Sequence, residues 1–217
     1  MDPATVSAII SAAAGIFGAV IGSAGSTINA RIEAKRVTSK NAGYLAILVS
    51  SHLDDFATGC ASVVGDGGEA DNTGMTYSQV KAPEFSPRDL DVDWKSLPVT
   101  LMGRVLDLPF KISEVGRLLS SDDFRDPPDF CAYFVERQLQ YSNLGLEAIE
   151  LAALLRKQVG LSPHPVGPWD RADYMTSRRA EILEMRAKRE HARENMLMTN
   201  PDLYKVLHAN YSKPEGG

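Results

Sequence analysis

From Pro3 to Ala30 the chain shows no alternation of apolar and charged positions, because no ionisable side chain occurs between Asp2 and Arg31. Beyond Arg31 the apolar residues step by three and four, the spacing that lines one face of a helix. Ala42, Leu45, Val49, Leu53, Phe56, Cys60 and Val63 form the first such stripe, which stops at Gly65-Asp66-Gly67-Gly68. No proline lies between Thr5 and Pro83, so the uncharged segment can run into this helix as one rod. The polar run Thr38-Ser39-Lys40-Asn41 and Gly43 predict a break or bend near 38 to 43.

Residues 65 to 92 lose the periodicity and gain glycine, proline and acid, the composition of a linker or surface loop. The EF-hand order of calcium ligands is missing from it. After Trp94 the stripe resumes through Leu97, Leu101, Val105, Leu108, Ile112, Val115 and Leu119. Pro109 cannot donate to the Val105 carbonyl, which predicts a kink or two short helices sharing one face. The next helix is predicted from about Asp129, its cap, to Val159, with Gly160 as its stop. Its apolar face is wide: Phe130, Phe134, Tyr141, Leu144, Ala148, Leu151 and Leu155, flanked by Val135, Leu139, Leu146 and Ile149. Glu136, Gln140, Asn143, Glu147 and Glu150 share the other strip and read as a solvated face. A charge-dense helix near 170 to 198 follows, with a sparse, methionine-rich apolar side. A short helix after Asn200-Pro201 and a tail complete the pattern.

The 28 uncharged residues from Pro3 to Ala30 would span about 42 Å as a helix, more than the ~30 Å hydrocarbon layer of a bilayer. The window from Val6 to Ala24 has a mean hydropathy of about 1.9, in the range of spanning helices. Asp2 as cap and Pro3 at the first helical position favour initiation. A signal peptide would carry a positive leading region, which Met1-Asp2-Pro3-Ala4 lacks, and a surface-lying helix would need a charged face. The segment therefore reads as a single transmembrane helix. Arg31, Lys35, Arg36 and Lys40 follow it and no Lys or Arg precedes it. The positive-inside rule then places the N-terminus outside and the C-terminal body in the cytoplasm.

Glycine in a helix costs about 1 kcal/mol against alanine, so Gly15, Gly18, Gly22 and Gly25 call for a reason. Ala14, Gly18, Gly22 and Ser26 fall four apart on one face, beside Gly15 on an adjacent row. Small residues at that spacing let two helix backbones approach within a membrane. They form the expected association face, either for a second copy or for a partner's transmembrane helix.

A net charge of −5 offers no bulk attraction for phosphate backbones, so nucleic acid is not an expected partner. Cys60 and Cys131 stand apart from any metal-ligand spacing and read as buried thiols. No phosphate-cradling loop, HExxH, GxSxG or paired CxxC occurs, and no catalytic, metal or cofactor residue is expected. His52 and Asp55, one helical turn apart, are the best titratable pair, and a surface contact explains them equally well.

The expected fold is all-α: an N-terminal single-pass transmembrane helix followed by a helical-bundle-like cytoplasmic domain. The expected organisation is an anchor over 1–30, a juxtamembrane amphipathic helix over 31–64 and a linker over 65–92. A helical core over 93–162 and a charged C-terminal region over 163–217 follow. The expected role is a membrane-anchored interaction or scaffolding protein. The alternatives are a glycine-zipper, pore-forming effector and an enzyme with an unfamiliar site in the helical body.

Overall fold

The computed structural model describes residues 3–124, 130–164 and 169–199, with side chains from residue 32 onward. The described chain is mostly helical. Helix α1 runs Pro3–Gly65, α2 Val99–Leu119, α3 Cys131–Gln158 and α4 Arg171–Thr199. Between α1 and α2 a two-residue hairpin pairs β1 (Glu69–Ala70) with β2 (Thr76–Tyr77) antiparallel.

The expected break near 38 to 43 is absent, and α1 is one helix of 63 residues. Thr38 folds its hydroxyl back onto the Ala34 carbonyl at 2.9 Å, a bond made within the helix that leaves the backbone ladder intact. Gly43 faces open space, so its cost is one of propensity alone. Residues 32–40 are exposed, and burial begins with Leu45. From there the predicted stripe holds: Leu45, Val49, Leu53, Phe56, Cys60 and Val63 are all buried.

Pro109 does not split α2, which continues through it with the same face inward: Leu101, Val105, Leu108 and Val115 are buried. One missing amide is a local loss that a helix with a continuous apolar stripe can carry. Helix α3 starts at Cys131, and Asp129, its expected cap, lies outside the described residues. Its end is as read: Gly160 adopts φ +74, the Leu161 amide donates to the Arg156 carbonyl (2.9 Å) and the Gly160 amide to Lys157 (3.1 Å). That pair of bonds satisfies the last carbonyls of the helix. Asp170 caps α4, its carboxylate accepting from the amides of Ala172 (2.8 Å) and Asp173 (3.2 Å). The short helix expected after Asn200-Pro201 lies outside the described residues.

The core is a single cluster built from α1, α2, α3 and the start of α4. Gly145 shows how tightly three helices meet: a Cβ there would stand 2.5 Å from Met175 Sδ and 2.9 Å from Cys60 Cβ. The stretch read as a linker or surface loop packs against α1 in part. Phe85 and Pro87 are buried, the Phe85 and Phe56 rings lie 5.9 Å apart, and Pro83 sits where a Cβ on Gly59 would fall. Within it Asp71 closes the hairpin turn, accepting from Thr73 Oγ1 (2.6 Å) and the Thr73 (2.8 Å) and Met75 (3.1 Å) amides. Of the two cysteines, both thiols, Cys60 is buried as expected, whereas Cys131 is exposed because it opens α3 at the edge of the body.

Among the described residues no helix is long and apolar enough to cross a membrane. The side chains of 3–31, on which the transmembrane expectation rests, lie outside the described residues.

Candidate functional site

Helix α3 carries an unusual load of buried polar side chains for a central helix, and they sort into two ionic centres and a ladder. The first centre joins α3 to the end of α1. Asp66, read in the sequence as part of a glycine turn, is buried, and Arg137 Nη1 donates to its Oδ2 at 2.8 Å. The amides of Gln79 and Val80 donate to the same oxygen (3.0 Å each) and that of Gly68 to Oδ1 (2.9 Å). Burial pushes the Asp66 carboxyl up, yet the Val80 and Gly68 amides, Arg137 and the Gln79 amide outweigh it and hold the carboxyl below its ordinary 3.8. Arg137 also donates to the Val80 carbonyl (2.5 Å), and its guanidinium lies 5.9 Å from the Tyr141 ring centre. Gln138 extends the network, donating to the Asp66 carbonyl (3.0 Å) and accepting from Arg178 of α4 (2.9 Å). Every charged group here has partners, so the centre is a structural clasp.

The strip read as a solvated face is an interhelical ladder instead. Glu147 accepts from Lys111 Nζ (2.6 Å), Glu150 takes both Arg104 guanidinium nitrogens (3.0 and 3.1 Å), and Glu136, buried, is bonded by Arg186 and Gln140. Only Asn143 and Glu150 of the five are exposed. The carboxylates point at cations on α2 and α4, which the spacing on α3 alone could not reveal. On α4 Glu184 pairs with Lys188 at 2.6 Å, four residues on, and Arg186 reaches across to Glu136.

The second ionic centre lies in a pocket of about 480 Å³ between α1, α3 and the start of α4. Asp54 of α1 is buried there, and Arg171 donates to its Oδ1 and to Thr58 Oγ1 (3.0 Å). Arg156 of α3 approaches Asp54 Oδ2 from the other side at 3.5 Å. Asp54 Oδ2 and Arg156 Nε have no hydrogen-bond partner among the described residues. His164, Trp169 and Asp170 complete the polar rim. Sequence reasoning missed this pocket, since Asp54 sits 102 and 117 positions from its two arginines and no local motif joins them.

His52 and Asp55 are both exposed and line a smaller hollow of about 190 Å³ beside Phe56 and Phe85. Among the described residues the only third titratable partner there is Glu84, itself paired with Lys81 at 2.7 Å. Of the residues read as setting the topology, Lys35, Arg36 and Lys40 are exposed on α1, Arg36 lying 3.9 Å from Glu33. Ala14, Gly15, Gly18, Gly22, Ser26 and Arg31 fall within α1, with side chains outside the described residues. No family model, curated protein or solved structure matches the chain.

Proposed function

We propose that the chain is a membrane-anchored helical interaction module. Residues 3–30 cross the bilayer with the N-terminus outside, and the packed body stands on the cytoplasmic side. The observation that carries this reading is the continuity of α1 from the uncharged segment into the core, with an exposed stretch of 32–40 between them. At ~1.5 Å per residue, that exposed stretch spaces the body about 14 Å from the segment's end. Ile32 and Val37 are exposed on it among Lys35, Arg36 and Lys40, the mixture of apolar and basic side chains that suits a headgroup layer.

The face of Ala14, Gly18, Gly22 and Ser26, with Gly15 beside it, supports association with a second copy or with a partner's transmembrane helix. The far half of α4 supplies a second contact surface. Beyond buried Ile182 its residues are exposed through Thr199 apart from half-covered Leu197, with Met196 and Met198 standing in water. Methionine-bearing helix faces adapt to varied partners.

Fractionation tests the anchor. The full-length protein should stay with the membrane pellet through alkaline carbonate washing and leave it only in detergent. Protease added to the cytoplasmic side of inverted vesicles should digest the body. Recovery of the full-length protein in the soluble fraction would overturn the reading.

A further inference from the structure

The end of the body nearest residues 3–30 carries a charge that the packing of the core does not explain. There α1, the 3-10 turn Trp94–Ser96 and the chain leaving α3 surround a hollow of about 640 Å³. Ala34, Lys35, Thr38 and Ile47 line it from α1, Ser96 from the turn and Leu161 from beyond α3. Lys35 lies about five full helical turns before Leu53, which is buried in the core, so the body overhangs the side of α1 that Lys35 occupies. The whole chain carries −5, yet this overhang is basic. Lys35, Arg36, Lys40, Lys95 and Lys157 are exposed in the segments 32–47, 93–96 and 157–161 that meet there. The acids of those segments are Glu33, 3.9 Å from Arg36, and Asp93, which accepts from Asn41 at 3.2 Å. Ile47 and Leu161 expose apolar side chains among the cations. Such a mixture suits an anionic lipid surface, where the charges meet phosphates and the apolar groups enter the interface.

At about 42 Å the uncharged segment is longer than the ~30 Å hydrocarbon layer, a mismatch that a helix without a kink relieves by tilting. Because α1 runs on without a break, the body tilts with it, and interfacial side chains set which flank goes down. We infer that the body lies on the bilayer through this overhang. Lys35, Lys95 and Lys157 sit among the phosphates of anionic lipids, with Leu161 in the interface. This docking rests on residues 3–30 crossing the membrane.

Two thiol positions at opposite ends of α3 test it in the full-length protein reconstituted into vesicles. A fluorescent label on exposed Cys131 marks the far end, and a label on Leu161→Cys in a Cys131→Ser chain marks the overhang. The vesicles are phosphatidylcholine with about a third phosphatidylserine, plus a lipid bearing a nitroxide quencher on its headgroup. Quenching of the label at Leu161→Cys is expected to exceed that at Cys131 several-fold. The excess should vanish in pure phosphatidylcholine and at ~1 M salt, where the screening length falls to ~3 Å. Lys95→Glu with Lys157→Glu should remove it too. Both lysines are exposed, and an unchanged urea midpoint checks that the double variant folds. If it does not fold, the lipid and salt arms decide alone. Carbonate washing of the same vesicles separates this docking from the anchor. Protein that withstands the wash while both labels quench equally keeps its anchor and loses the docking surface. Quenching as strong in pure phosphatidylcholine overturns the anionic partner. A second copy covering the overhang would shield the label at Leu161→Cys and overturn the docking as well. Protein removed by carbonate would overturn the anchor and the docking together.

Discussion

Asp66 is the residue on which the join between α1, the hairpin and α3 turns. Its carboxylate accepts from three amides and from Arg137, and both side chains of the pair are nearly inaccessible, at 2% and 4% exposed. Removing one partner of a buried pair leaves the other uncompensated, at a cost of about 3–5 kcal/mol. Asp66→Asn should therefore lower the stability of the body by about that much at neutral pH, read by urea unfolding. The pH dependence has a definite sign. Because the folded carboxyl titrates below its ordinary 3.8, its contribution is complete above that value and is lost as pH falls through the folded one. The gap between wild type and Asp66→Asn should close as pH drops from about 4 toward 2. A gap that widens on acidification would show that another group holds the join. None of this was legible in the sequence, where Asp66 sits in a run of glycines and its partner lies 71 positions away. The glycines were legible as a stop, and Gly68 at φ +80 justifies that reading, since its backbone conformation disfavours a side chain.

At the scale of elements, the apolar period was a sound guide and the polar period was not. The stripes on α1 and α2 face the core as spaced, and Gly160 and Asp170 end and start their helices where capping chemistry puts them. The carboxylate strip on α3 has the same fourfold spacing whether it meets water or a neighbouring helix, so only the neighbour could decide. A hint existed: Arg104 and Lys111 lie seven apart on one face of α2, matching Glu150 and Glu147 in reverse order, as antiparallel helices require. The ladder predicts graded costs, because ion pairs weaken with exposure. The Glu136 side chain is 7% exposed, that of Glu147 21% and that of Glu150 59%. Substitution by Gln should destabilise in that order. Glu150→Gln should fall within the 0–1 kcal/mol of surface pairs, about where Glu147→Gln sits at its upper edge, with Glu136→Gln beyond it. Urea midpoints of the three variants check it, and a largest loss at Glu150 would refute the ladder.

For the whole molecule, the uninterrupted α1 ties two regions that the sequence suggested might be hinged, and this makes the proposed association face testable from the exposed stretch of α1. At ~100° per residue, the direction shared by Gly18 and Gly22 recurs at Arg36 and Lys40, while Thr38 points roughly the opposite way. All three of these later residues are exposed, so a cysteine placed at any of them reaches solvent. If two copies pack through Ala14, Gly18, Gly22 and Ser26, and if α1 is one helix, Lys40→Cys should form a disulfide-linked dimer in membranes several-fold faster than Thr38→Cys. A Cys131→Ser background removes the exposed native thiol, and buried Cys60, whose pKa burial pushes far up, will not compete. Adding Gly18→Leu and Gly22→Leu should abolish the difference by forcing the backbones apart. Equal cross-linking at 38 and 40 would mean that the two helices are not held in this register. A phase-specific signal that survives both leucines would move the contact from the glycine face to the exposed stretch of α1 itself. The body cannot turn independently of the segment that leads into it, so whatever fixes the rotation of residues 3–30 also fixes the rotation of the body and the direction in which α4 faces.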